Sequence, residues 1–321
     1  MKKKLVVLDG YALNPGDLSW GGLEALGELA VYDRTPEHLV VERAAEANIL
    51  YTNKTPVRRQ MIEALPELEC IIVLATGYNV VDIDYAAERG IPVMNVPTYG
   101  TATVAQFTFA LLLGLCNRVE THDQAVKAGE WTRSKDFCFF LTPQVELGGK
   151  TFGIVGFGRI GKQVAKIAMA MGMKVATTSK SELDNPEWQQ VIRTDWDGLL
   201  SMSDIVSLHC PLTEQTEKMI NRDTLSKMKK SAYLINTARG GLIDDEDLAN
   251  ALNEGIIAGA ALDVLTIEPP DDSQPLLKAN NCLITPHIAW RSKEARERIM
   301  NVTVENTKAY LEGNHKNVVN K

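Results

Sequence analysis

The chain has 321 residues, more than one hydrophobic core usually serves, so two domains are expected. Hydrophobic residues at 45% and charged residues at 23% give the balance of a globular protein, and a formal charge of −7 argues against a nucleic-acid-binding face, which needs a basic surface. The apolar stretch near Phe107–Leu115 is too short and interrupted to span a bilayer, and the run after Lys2–Lys4 is too short for an export signal. The cysteines at 70, 116, 138, 210 and 282 are scattered and form no C-x-x-C pair, so a cytoplasmic protein with reduced thiols is expected.

In chain order, Lys4–Leu8 reads as a buried strand ended by Asp9-Gly10. A helical pattern follows over about 18–29, then a short strand at Ala30–Tyr32. Pro36 opens a helix to about Ala47. Asn48–Thr52 is a strand, Val57–Leu65 a helix and Cys70–Leu74 a strand. Asp82–Arg89 is a helix stopped by Gly90, before a strand at Ile91–Met94. Strands alternating with helices at this spacing indicate a parallel sheet wrapped by helices. A long helix is expected over Thr101–Glu130, ending where Gly129 interrupts. A loop carrying Trp131, Phe137, Phe139 and Phe140 follows, a candidate clamp on a partner subunit. A second α/β unit then runs to about Trp290, with strands at Phe152–Val155, Lys174–Thr178, Ile205–His209, Tyr233–Asn236, Ala258–Asp263 and Cys282–Thr285. The last helix, about Lys293–Glu312, is expected to return to the first domain. The fold class is therefore α/β, with two doubly wound parallel-sheet domains and a cleft between them. Residues 1–99 plus 292–321 form a substrate domain, and 100–291 a dinucleotide-binding domain.

Residues 151–161 read TFGIVGFGRIG, an apolar β-branched run entering G-x-G-x-x-G, with a helical pattern over about 162–171 behind it. In that context Gly156 permits the tight turn, Gly158 lets the backbone approach a pyrophosphate and Gly161 lets helix and strand pack closely. The helix N-terminus offers N–H groups to the phosphates. Past other strand ends stand three residues of chemical interest: Arg239 after Asn236, Glu268 after Asp263, and His287 after Thr285. Arginine holds a carboxylate through two parallel hydrogen bonds, histidine exchanges a proton near neutral pH, and a carboxylate beside the histidine orients its ring. His38, His122, His209 and His315 show no metal-ligand spacing, and no metal is expected.

Several stretches together resemble the D-isomer-specific 2-hydroxyacid dehydrogenase family over essentially the whole chain. They are Ala75–Asp82, Gly153–Gly161, Leu208–Thr213, Asn236–Gly240, Leu262–Val264 with Glu268-Pro269, and Thr285–Trp290. The opening 8–17 and Trp290 resemble the branch containing glycerate dehydrogenases (hydroxypyruvate reductases). The resemblance implies that Arg239 binds the substrate carboxylate and polarises the keto oxygen, that His287 donates the proton, and that Glu268 keeps His287 protonated. It implies that Thr76, Gly77 and Tyr78 supply N–H groups to the carboxylate. Asp263, with Thr237 and Ala238, would hold the nicotinamide, which Thr103 faces. Arg159 and Ile160 would meet the pyrophosphate, and Cys210, Pro211 and Thr216 would border the adenosine. Gln106 receives no role.

The expected activity is NAD(P)H-dependent reduction of a small 2-keto acid such as hydroxypyruvate or glyoxylate to the D-2-hydroxy acid, with Trp290 narrowing the site. The family also implies a homodimer through the 101–130 helix and the aromatic loop. Alternatives are another 2-hydroxy acid as substrate, or a dinucleotide-sensing corepressor-like binding module of the same fold. An NAD site carries Asp or Glu about twenty residues past the glycines. Here Ser179 and Lys180 stand in that place, which favours NADP(H) by removing repulsion toward a 2′-phosphate.

Overall fold

The computed structural model describes residues 2–179 and 185–320. The chain divides into two compact units, Met1–Tyr99 with Arg291–Lys321, and Gly100–Trp290.

The first unit contains β1 (Lys4–Val7), α1 (Gly21–Glu24), β2 (Glu28–Val31), α2 (Val40–Ala44), β3 (Ile49–Thr52), α3 (Arg59–Glu63), β4 (Cys70–Val73), α4 (Ile83–Glu88) and β5 (Val93–Met94). Its sheet has the order β2-β1-β3-β4-β5, with every pair parallel. β3 and β4 are buried at all four positions, because helices cover both faces; this is why they read as continuous apolar runs rather than alternating ones. The expected helix over 18–29 shrinks to Gly21–Glu24. The chain must already pass Lys3 at Gly27, where an added Cβ would lie 2.5 Å from the Lys3 carbonyl oxygen, to enter β2 at Glu28. The helix expected from Pro36 is a tight turn at Glu37–Leu39 followed by the short α2. At Asp82 the carboxylate accepts the Tyr85 N–H at 3.0 Å and caps α4.

The second unit contains α5 (Thr101–Asn117), α6 (Val119–Lys127), β6 (Thr151–Val155), α7 (Arg159–Ala170), β7 (Lys174–Thr177), β8 (Ile192–Arg193), α8 (Trp196–Met202), β9 (Ile205–Leu208), α9 (Arg222–Ser226), β10 (Tyr233–Asn236), α10 (Asp245–Asn253), β11 (Gly259–Leu262) and β12 (Cys282–Ile284). Among the described residues its sheet runs β12-β11-β10-β9-β6-β7-β8, parallel throughout. The expected single helix over 101–130 is two helices bent by 56°. Arg118 breaks it by adopting φ 48°, with its N–H donating to the Gly114 carbonyl. The reason lies in burial: α5 buries an apolar face through Cys116, whereas α6 buries only Ala125 and leaves Val119 and Val126 exposed. Among the described residues no single helix is long and apolar enough to cross a membrane.

Helix α11 (Lys293–Leu311) lies in the first unit. The Thr307 hydroxyl lies 2.9 Å from the Tyr51 hydroxyl of β3, and the Asn306 amide donates to the Asn95 carbonyl. Nearer its start, buried Arg296 forms a bidentate pair with Asp17 at 2.6 and 2.7 Å, which holds the Asp17 carboxyl down at about 2.

Candidate active site

Parallel sheets present their strand ends, and the loops past them, along one edge. After β6 the three glycines do three different things. Gly156 sits at φ +94°, and a Cβ there would meet the His209 backbone at 2.6 Å. A Cβ on Gly161 would lie 2.2 Å from the Gly156 carbonyl oxygen. Around Gly158 a Cβ would find nothing within 4 Å, and this open place directly precedes the first turn of α7, which starts at Arg159 and continues through Ile160. Two glycines are thus required by packing, while the third leaves room beside a helix N-terminus. That fits the pyrophosphate of a dinucleotide.

The neighbouring strand ends frame the same turn. Thr177 donates its hydroxyl to the Ile154 carbonyl at 2.9 Å and accepts the Ser179 N–H at 3.3 Å, so Ser179 is fastened at the end of β7. Lys180 lies outside the described residues. Past β9, Thr216 donates its hydroxyl to the Pro211 carbonyl at 2.8 Å and accepts the Thr213 N–H at 2.8 Å, closing the loop that carries Cys210 and Pro211. Burial pushes the Cys210 thiol up, so it is an apolar wall rather than a nucleophile. The His209 ring bonds the Ser207 hydroxyl at 2.8 Å, and burial pushes its pKa down to about 4. It is therefore neutral at physiological pH and adds no cation behind Gly156.

Arg239, Glu268 and His287 follow β10, β11 and β12, three adjacent strands. The Asn236 side chain accepts the Ala238 N–H at 2.9 Å and donates to the Arg239 carbonyl at 2.8 Å, which sets the turn. The exposed Arg239 guanidinium donates to the Ala238 carbonyl at 2.7 Å. Gly240 then packs against the next loop so tightly that a Cβ would lie 1.9 Å from the Leu265 carbonyl carbon. In that next loop Glu268 divides its carboxylate. One oxygen accepts the Leu265 N–H at 3.0 Å, and the other meets His287 Nδ1 at 2.6 Å. With Nδ1 committed, Nε2 is the ring nitrogen left to face a reacting group.

His287 is held at φ 54°, an uncommon backbone state for a non-glycine residue. Asp263 supports it. Its carboxylate, 1% exposed, accepts the Thr285 hydroxyl at 2.6 Å, the Ile288 N–H at 2.9 Å and the Ala289 N–H at 2.7 Å, and its own carbonyl accepts the His287 N–H at 2.8 Å. Burial raises the Asp263 carboxyl pKa against these bonds. Sequence reasoning picked out Asp263 but not this use of it, because its partners are mostly main-chain groups. It also missed Thr108 of α5, whose hydroxyl lies 3.3 Å from that of Thr237, and the Ser207–His209 contact.

Thr103 and Trp290 are half-buried at the two ends of the second unit. In the first unit, Thr76, Gly77 and Tyr78 follow β4. The Thr76 hydroxyl donates to the Val96 carbonyl at 2.8 Å, and the Asn95 amide donates to the Thr76 carbonyl at 2.8 Å, leaving Tyr78 exposed and Gly77 half-buried on a fastened base.

A guanidinium and a carboxylate-oriented imidazole presented past neighbouring strand ends of one sheet can grip an acid and stabilise negative charge on a carbonyl oxygen while delivering a proton. A family model described as the NAD binding domain of D-isomer specific 2-hydroxyacid dehydrogenases matches residues 109–289. The chain is 50% identical over 321 residues to a hydroxypyruvate reductase of Blautia hydrogenotrophica, covering 99% of this chain and 100% of that protein. It is 40% identical over 323 residues to a glycerate dehydrogenase of Methylorubrum extorquens, covering 99% of each. Among solved structures, an acyclic imino acid reductase in complex with NADPH and D-Arg aligns with a TM-score of 0.84 at 32% identity, covering 98% of this chain and 99% of that one.

Proposed function

The chain belongs to the D-isomer specific 2-hydroxyacid dehydrogenases, and we propose that it reduces hydroxypyruvate, and glyoxylate more slowly, to the D-2-hydroxy acid with NADPH as preferred cofactor. The observation that carries this is the 2.6 Å Glu268–His287 contact past the strands adjacent to the one that Arg239 follows, in the sheet whose glycine turn is shaped for a pyrophosphate. A nicotinamide dinucleotide bound at that turn supplies the hydride. Gly158, Arg159, Ile160 and the first turn of α7 hold its phosphates, with Cys210, Pro211 and Thr216 beside the adenosine. Asp263, Thr237, Ala238 and Thr103 face the nicotinamide. Arg239 binds the substrate carboxylate, a role that the family resemblance also gives to the main-chain N–H groups of Thr76, Gly77 and Tyr78. Arg239 also polarises the keto oxygen. His287 donates its Nε2 proton to that oxygen as negative charge develops there, and Glu268 holds the ring in place through Nδ1. Trp290 limits the acid to two or three carbons.

The cofactor preference is supported by Ser179 at the end of β7, where an NAD site carries an acid, and by the NADPH bound in the imino acid reductase relative. A homodimer is supported by the exposed Trp131, Phe137, Phe140 and Leu141, a concentration of apolar surface that a second copy would cover. The five free thiols fit the cytoplasm. The reaction is tested by incubating the protein with hydroxypyruvate and NADPH and resolving the product on a chiral column. D-Glycerate is expected; L-glycerate or no glycerate overturns the proposal.

A further inference from the structure

In the second unit, half-buried His122 of α6 joins two pieces of chain through both of its ring nitrogens. Nδ1 lies 2.9 Å from the Arg118 carbonyl oxygen, and Nε2 lies 3.1 Å from the main-chain nitrogen of Leu141. The chemistry of the partners fixes the proton. A carbonyl only accepts, so Nδ1 carries the hydrogen; a main-chain N–H only donates, so Nε2 is bare and the ring is neutral. The Arg118 end is firm. This residue makes the bend between α5 and α6 at φ 48°, and its carbonyl also accepts the His122 N–H at 3.2 Å. The Leu141 end has no such support. The first part of the loop is tied to itself and to the end of α6: the Trp131 indole N–H donates to the Phe137 carbonyl at 2.9 Å, and Arg133 donates to the Ala128 carbonyl at 3.2 Å. Among the described residues, the bond from Leu141 to His122 is the hydrogen bond that ties residues 138–144 to the rest of the unit. The next anchor is Val145, whose N–H donates to the Cys116 carbonyl at 3.1 Å. One imidazole therefore holds a segment whose Phe140 and Leu141 are 77% and 46% exposed.

We propose that His122 is an acid-sensitive latch on residues 138–144, closed by the neutral ring and opened by the imidazolium. Proton uptake puts a second N–H on the ring, at Nε2, where it faces the Leu141 N–H, donor against donor. The charged ring keeps and strengthens its bond to the Arg118 carbonyl, so it stays with α6 and lets the loop go. The charged groups around the ring are engaged with other partners or face solvent. On α6, Asp123 is paired with Lys127 at 2.6 Å, and Glu120 accepts the Gln124 amide at 3.2 Å. At the bend, the Arg118 guanidinium donates to the Asn281 side chain at 3.1 Å. In the loop, Arg133 is held by Ala128, and Glu130, Lys135, Asp136 and Glu146 are exposed. Histidine is the side chain that changes charge between about pH 5 and 8, and the latch loosens as pH falls through that range. These contacts lie within the second unit, and the latch does not depend on the keto-acid reading.

The test is hydrogen exchange of the full chain at about pH 8 and about pH 5.5, on either side of the usual histidine range. It is read by mass spectrometry on the peptide covering residues 138–144 and expressed relative to the intrinsic exchange rate at each pH. His122→Gln is measured alongside, because glutamine keeps an acceptor at about the reach of Nε2 and does not titrate. In the unsubstituted protein the Leu141 amide is expected to lose roughly tenfold in protection at the lower pH, the loss of one hydrogen bond, while β6 and α7 keep theirs. In His122→Gln the protection of the segment is expected to be the same at both pH values. Equal protection at both pH values in the unsubstituted protein overturns the latch. So does a loss that His122→Gln reproduces, or one that β6 and α7 share.

Discussion

Replacing Asp263 by Asn separates two uses of one buried carboxylate. The structure shows it accepting three hydrogen bonds from the segment that carries His287, at 2.6, 2.7 and 2.9 Å. An amide has one accepting oxygen. If that oxygen keeps Thr285 and Ile288, its NH2 group faces the Ala289 N–H, donor against donor. One charge-assisted bond worth about 1.5–3 kcal/mol is lost, and the two that remain become weaker neutral bonds. Against this, the carboxylate is costly to bury, and the amide removes that cost. A net destabilisation of about 2 kcal/mol is expected. The larger effect falls on catalysis, because the φ 54° geometry of His287 relaxes when its neighbours are released. A misplacement of about 1 Å at a proton donor costs on the order of 100-fold in rate. The assay is steady-state kcat with hydroxypyruvate, paired with a fluorescence titration of NADPH. The expected outcome is a kcat lower by about 100-fold with a dinucleotide Kd changed by less than about threefold. Preserved kcat with a Kd weakened by about tenfold or more would refute this reasoning and return Asp263 to the nicotinamide alone.

Other outcomes follow from the same geometry. Ser179→Asp places a carboxylate where a 2′-phosphate would lie; repulsion of about 1 kcal/mol or more should shift the NADPH-to-NADH preference by roughly tenfold toward NADH, read from kcat/KM with each cofactor. His287→Gln removes the proton donor and should lower kcat by about 100-fold or more while NADPH still quenches protein fluorescence on binding. His209 binds its proton more weakly when folded, its pKa falling from 6.5 to about 4, so the unfolded chain takes up more protons between those values. Stability should therefore be complete above pH 6.5 and fall below it by about 1.4 kcal/mol per pH unit from this group. In His209→Gln, urea midpoints measured from pH 6.5 to 5 should change less steeply than in the unsubstituted protein.

The central strands were legible because both their faces are covered. Tyr233–Asn236 is found where its apolar run stands, and the other expected strands end within a residue or two of theirs, whereas β8, exposed at both residues, has no apolar run and was missed. Helices were less so. The pattern over 18–29 contains apolar residues at helical spacing, but the main chain must pass Lys3 at Gly27, a tertiary demand that periodicity does not carry. The break at Arg118 was hidden for a similar reason: nothing local forbids a helix there, and the bend follows from where buried surface ends. In the site, Arg239, Glu268 and His287 could be named because strand ends in such sheets gather chemistry. The second use of Asp263 could not, since it depends on which main-chain N–H groups return to it.

The most direct test of the central claim is a steady-state comparison of NADPH and NADH oxidation by the purified protein with hydroxypyruvate, glyoxylate and pyruvate. The highest kcat/KM is expected for hydroxypyruvate with NADPH. Rapid turnover with NADH alone would contradict the cofactor assignment, and no oxidation with any of the three acids would contradict the proposed activity itself.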